Sequence, residues 1–206
     1  MGLRMKQSAP VLGIWKVEES PDELLRQLER KEWYLPFLSR ITSEARRKEW
    51  LAVRVLLKEL TGEEKEIGYE SDGAPYLADH SFHIGISHTK GYVAIVLSGT
   101  APVAIDIEQF SDRILKLHTH FLSEEELAAL SPVQPAHSLL YWSGKETLFK
   151  LIRQQEVDFR RHLHILPFDC REEGAFWAEE SRTPQGCAFL VNYRVTPQFV
   201  LTYAGG

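Results

Sequence analysis

The segment Val103-Ala104-Ile105-Asp106-Ile107-Glu108 alternates along its length, and that period admits a strand and little else. Val103, Ile105 and Ile107 then share one face, and Asp106 and Glu108 project from the opposite one. Forty residues on from Asp106 stands Glu146, inside Trp142-Ser143-Gly144-Lys145-Glu146-Thr147-Leu148-Phe149-Lys150. That stretch reads as a helix, with Glu146 and Lys150 one turn apart on one face. Brought together, the three carboxylates can hold a hard divalent cation, since Mg²⁺ takes a few carboxylates and completes its octahedron with waters and phosphates. The lysine can steady a phosphate. Each segment by itself has a plainer reading, the first as the solvated face of a strand end and the second as a helix-surface pair. Their combination in one chain outlines a phosphate-handling enzyme.

The rest of the sequence supplies helices and strands in both halves. Ser20-Pro21-Asp22-Glu23 has the form of a helix start, with Ser as N-cap, Pro at the first position and Glu closing a capping box; Leu24, Leu25 and Leu28 form its buried stripe. Thr42-Ser43-Glu44 opens a longer helix that carries Leu51, Leu56, Leu57 and Leu60 and stops at Gly62. Ser71-Asp72-Gly73-Ala74-Pro75 is a turn. Residues 82–87 and 92–97 read as strands around the turn at Thr89-Lys90-Gly91, and 103–108 as a third. Ser123-Glu124-Glu125-Glu126 is a second capping box, leading into Leu127 and Leu130. Pro132 and Pro135 break the chain, and a helix follows over about 136–153. Phe176-Trp177, 188–195 and 199–203 look like strands of a closing antiparallel sheet. No sequence repeat and no Gly/Ser-rich linker is visible, so the halves, 1–102 and 103–206, are expected to pack as one body.

Composition narrows the class. The 206 residues are 44% hydrophobic and 26% charged, ordinary for a soluble globular chain. A net charge of −5 argues against general nucleic-acid binding, although Arg46-Arg47-Lys48 and Arg160-Arg161-His162 are local basic clusters. Cys170 and Cys187 cannot form a disulfide scaffold, and neither has zinc-ligand spacing. Residues 1–17 lack a signal pattern, and no run reaches the ~20 apolar residues of a membrane span. A cytoplasmic protein is the expectation.

Four elements, taken in order, carry a family resemblance. Ile86-Ser87-His88-Thr89 is similar to Asn-(Ile/Val/Leu)-Ser-His-(Ser/Thr), with Gly85 in the Asn place. Ala104-Ile105-Asp106-Ile107-Glu108 is similar to Gly-(Ile/Val)-Asp-(Ile/Val)-Glu, with Ala104 for Gly. Phe121-Leu122-Ser123-Glu124-Glu125-Glu126 resembles Phe-(Phe/Leu)-(Ser/Thr)-x-x-Glu. Residues 142–150 resemble Trp-(Ser/Thr)-x-Lys-Glu-(Ala/Ser)-x-x-Lys, departing at Thr147. Together they resemble the 4′-phosphopantetheinyl transferases, specifically the long, pseudo-dimeric type that activates peptide synthetases and carrier proteins.

That resemblance implies an α+β fold of two similar subdomains related by pseudo-twofold symmetry, with the active site in the cleft between them, and so a monomer, because a pseudo-dimer needs no second chain to complete its cleft. It implies transfer of 4′-phosphopantetheine from coenzyme A to a serine of an apo acyl or peptidyl carrier protein, with Mg²⁺ required and 3′,5′-ADP released. Asp106, Glu108 and Glu146 would hold Mg²⁺, and Glu146 would be general base, metal ligand or both. Lys150 would meet the pyrophosphate, and Ser87 and His88 the coenzyme A phosphates. Lys145 is either a further coenzyme A ligand or a surface lysine. Arg54 lies in an apolar helix stretch, where its charge has to be met; a 3′-phosphate or adenine is one partner, a buried carboxylate the other. The sequence departs from the family at Gly73-Ala74-Pro75, where Gly-Lys-Pro is usual, and again after Lys150. The competing readings are a non-catalytic homologue that binds a carrier protein or coenzyme A, and a different metal-dependent phosphate enzyme.

Overall fold

The computed structural model describes residues 2–8, 10–111, 113–130 and 134–205; the expected break at Pro132 lies outside them. The chain is α+β and divides into two compact units, Met1–Thr100 and Ala101–Gly206.

The first unit opens on a hairpin, β1 (Leu3–Ser8) and β2 (Val11–Lys16), which the sequence reading did not anticipate. The reason is physical: four consecutive residues of β2 are buried, so it shows an apolar run instead of an alternation. Helices α1 (Pro21–Arg26), α2 (Lys31–Leu38) and α3 (Glu44–Thr61) follow. Ser20 caps α1 through the expected capping box, and Ser43 caps α3 by accepting from Arg46 N. Gly62 ends α3 at φ 81°, a left-handed conformation that a Cβ would disfavour. A small hairpin, β3 (Ile67–Tyr69) and β4 (Pro75–Leu77), surrounds the expected turn, and β5 (His83–Thr89) and β6 (Tyr92–Ser98) form the predicted pair. The main sheet is antiparallel, in the order β1-β2-β6-β5. Helix α3 packs on β2 and β6, burying Leu51, Leu56, Leu57 and Leu60.

The second unit begins at β7 (Val103–Gln109), followed by α4 (Arg113–Phe121), α5 (Glu124–Ala129), α6 (Pro135–Ile152) and α7 (Phe159–His162). It closes with β8 (Leu163–Ile165), β9 (Glu173–Glu180), β10 (Cys187–Val195) and β11 (Phe199–Gly205). All five strands form one antiparallel sheet in the order β7-β11-β10-β9-β8, so the unit's first strand lies beside its last. Helix α6 crosses the β7–β11 side of this sheet. Its buried residues, from Ser138 to Leu148, point in nearly every direction, as a central helix requires. Gly144 permits the close approach: a Cβ there would stand 2.7 Å from Phe176 Cζ and 2.9 Å from Ile165 Cδ1. Cys170 and Cys187 are free thiols.

Candidate active site

Strand β7 presents Ala104, Asp106 and Glu108 on the face that α6 covers. The sequence left this face free to be solvated; instead Asp106 is only 4% exposed. Trp142, Glu146 and Lys150 recur every four residues of α6, so they line one edge of the helix. Lys150 Nζ donates to Asp106 Oδ1 at 2.6 Å and to Ile105 O at 3.2 Å. Trp142 Nε1 donates to Glu108 Oε1 at 2.8 Å. The Trp142 ring is held in turn by an edge contact with Phe121 at 5.2 Å and a tilted contact with Phe159 at 5.6 Å. Asp106, Glu108, Glu146 and Lys150, named from sequence, are thus collected between one strand and one helix. Trp142 is an addition. Its signal was present, because a buried indole seeks an acceptor for its N–H.

Three carboxylates in this space repel one another. Burial pushes the Glu146 carboxyl up to about 7, with Asp106 and then Glu108 adding to the rise and Lys150 opposing it. Burial also raises Glu108, again with help from Asp106 and against the Trp142 hydrogen bond and Lys150. The donor set is all oxygen and electrostatically crowded, which is the chemistry that suits a hard cation. As folded, however, no three His, Cys, Asp or Glu side chains among the described residues are grouped to hold a metal ion. The donors fit in kind, and the lysine and the indole now take the places beside Asp106 and Glu108.

The structure corrects the expectation for Lys145. It is neither a surface lysine nor a ligand that could reach coenzyme A, because its side chain is fully buried. Lys145 Nζ donates to Glu126 Oε2 at 2.6 Å, Phe121 O at 2.7 Å and Phe159 O at 2.9 Å, which uses all three ammonium donors. Burial holds its pKa below the ordinary lysine value, and Glu126 opposes that shift. Glu126 closes the predicted capping box with Ser123 and also accepts from Ile165 N at 2.9 Å. One ion pair therefore ties α5 and β8 to α6, and two of the recognised motifs to each other.

In the first unit, Arg54 sits on α3 and is 5% exposed. Its guanidinium carbon lies 3.5 Å from the Trp50 ring centroid, and Nη1 donates to Trp50 O at 3.1 Å. Burial lowers its pKa from the ordinary arginine value, with Tyr69 and Tyr34 opposing. The carboxylate partner allowed for in the sequence is not among these groups. Ser87 is buried on β5, and the half-exposed His88 places Nδ1 3.9 Å from Glu49 Oε2 on α3. Ala74 follows the β3–β4 turn, where its N–H donates to Asp72 at 3.0 Å.

The family model described as the 4′-phosphopantetheinyl transferase superfamily matches residues 102–204, a span that takes in β7, α6 and β11. No curated protein matches the chain.

Proposed function

The chain belongs to the 4′-phosphopantetheinyl transferase superfamily, and on that premise we propose that it transfers 4′-phosphopantetheine from coenzyme A to a serine of an apo carrier protein. The observation that carries this reading is the gathering of Asp106, Glu108, Glu146 and Lys150 between β7 and α6, inside the matched span.

The serine Oγ attacks the β-phosphorus of coenzyme A. A phosphodiester bond to serine forms as the bond to the bridging oxygen breaks, and 3′,5′-ADP leaves with the electron pair. Glu146, partly buried at the edge of the cluster, takes the serine proton. Asp106, Glu108 and Glu146 would hold Mg²⁺, which when bound neutralises charge on the pyrophosphate. Lys150 already balances Asp106 and is the cation nearest to hand for a phosphate oxygen. Arg54, Ser87 and His88 bind coenzyme A, with Arg54 directed to the 3′-phosphate: a buried guanidinium held by the Trp50 ring and a backbone carbonyl, with no ion pair to a carboxylate among the described residues, suits an anionic ligand.

We read the chain as the long, pseudo-dimeric type, monomeric and cytoplasmic. Support for the duplication is that each unit by itself sets an 18-residue helix on an antiparallel sheet. No helix of the described residues is long and apolar enough to cross a membrane.

The test is release of 3′,5′-ADP from coenzyme A, followed chromatographically with and without an apo carrier protein. Release only with carrier supports the transferase. Release at the same rate without carrier would make the protein a coenzyme A hydrolase.

A further inference from the structure

Three hydroxyls meet in the core where α6 lies on β11. Thr202 Oγ1 is 2.8 Å from Ser143 Oγ and 2.7 Å from Thr147 Oγ1, and Thr147 also donates to Thr202 O at 3.3 Å. All three residues are fully buried. A patch of apolar side chains of the same shape would pack there at little or no loss, because a satisfied pair of buried polar groups contributes little net stability. What hydroxyls add is direction, since each fixes the partner it bonds.

The direction fixed here is the roll of α6. Ser143 and Thr147 are one turn apart, and both address Thr202. Thr202 stands opposite Asp106 in the β7–β11 register. Trp142 and Glu146 each precede one of these hydroxyl residues, so they sit about 100° around the helix. Whatever holds Ser143 and Thr147 on β11 therefore decides where Glu146 and Lys150 stand over β7. A roll of about 25° moves a Cα on its ~2.3 Å radius by about 1 Å, and a 1 Å misplacement of a reacting group can cost about 100-fold in rate.

We propose that Thr202 is a positioning residue: through Ser143 and Thr147 it locks the roll of α6 and so sets Glu146 and Lys150 against Asp106 and Glu108. The inference rests on the function proposed above and adds a residue outside the recognised motifs.

Thr202→Val removes the hydroxyl and keeps the side-chain size. Two readouts are needed: kcat and KM for loading a carrier protein, and Mn²⁺ binding by electron paramagnetic resonance as a probe of the carboxylates. For Thr202→Val, kcat falls at least about ten-fold, Mn²⁺ Kd rises about ten-fold, and KM for coenzyme A stays within about two-fold. Thr202→Ser, which keeps the hydroxyl, returns kcat and Kd to within about three-fold of wild type. Should Thr202→Val not fold, Ser143→Ala, which deletes one of the bonds, is read in its place with the same direction of change. Wild-type kcat and Mn²⁺ affinity in Thr202→Val overturn the proposal. Equal losses in Thr202→Val and Thr202→Ser overturn it too, because the methyl and not the hydroxyl would be at work. A wild-type protein that neither binds Mn²⁺ nor loads a carrier refutes the functional reading itself.

Discussion

Lys145 and Lys150 lie five residues apart on one helix and end in opposite surroundings. Five residues turn the helix by about 500°, so the two side chains leave it about 140° apart. Lys145 is sealed against Glu126, while Lys150 keeps about a third of its side chain in solvent beside Asp106. The motif offers Lys150 to the pyrophosphate and Lys145 to coenzyme A or to the surface, but not to the core, because a motif records order along the chain and not which face of a helix is buried. Lys145→Met should destabilise the fold by about 3–5 kcal/mol in urea denaturation, since it strands the Glu126 carboxylate in the interior. The KM for coenzyme A of the molecules that remain folded should not change; a rise in KM at unchanged stability would restore Lys145 to the binding site. Glu146→Gln should lower kcat by at least about 100-fold with an unaltered melting temperature, the usual share of a general base; near-normal turnover would remove Glu146 from the chemistry. Arg54→Ala should raise KM for coenzyme A about ten-fold and leave KM for 3′-dephospho-coenzyme A nearly unchanged, because one charge-assisted contact to phosphate is lost. Equal losses for both would assign Arg54 a structural place against Trp50.

Helix α6 shows how far a local pattern can be read. Its start was legible from Pro135, which breaks the chain ahead of it, as was the start of α1 from its Ser-Pro-x-Glu signature. Its depth was not legible, because Ser143, Lys145 and Thr147 look like surface residues until Glu126 and Thr202 are known to face them. Helix α4 was missed although Ile114, Leu117, His118 and Phe121 follow helical spacing; a histidine at one of the four inward positions obscures the stripe. Gly144→Ala should destabilise the protein by about 1–3 kcal/mol, the ordinary cost of overpacking, since its Cβ would press on Phe176 and Ile165. An unchanged unfolding midpoint would mean that α6 can lift from β9 at little cost. Close to β4, the Lys65 ammonium bonds Asp79 at 2.6 Å and lowers the Asp79 carboxyl to about 2. The folded pKa lies below the unfolded one, so this pair stabilises fully above about pH 4 and is lost as pH falls towards 2. Asp79 is half exposed, and its pair is worth no more than about 1 kcal/mol. Wild type and Asp79→Asn should therefore differ in stability at pH 6 and converge near pH 2; a constant difference would mean that the pair is not what Asp79 contributes.

At the scale of the whole molecule, the strands with clean alternation or turn signals were legible: β5 and β6 around Gly91, β7, and the closing strands β10 and β11, with only Phe176-Trp177 of β9. What could not be read was partnership. Strand β2 pairs with β6 across most of the first unit's sequence, and β7 pairs with β11 across most of the second's. Such pairings depend on which apolar faces meet, and that is a property of the assembled sheet and not of any one segment. The same holds for the site: its acidic residues were visible, but the contacts around them were not, since Trp142 meets Glu108 and Thr202 meets Ser143 and Thr147 across long stretches of chain. The central claim is that these residues together load a carrier protein. Intact-mass analysis of an apo acyl carrier protein, incubated with this protein, coenzyme A and Mg²⁺ and paired with an EDTA control, tests it most directly. The account predicts a gain of one phosphopantetheine per carrier that EDTA abolishes. No gain on any of several carrier types, with coenzyme A still bound, would contradict it and leave a binding protein in place of an enzyme.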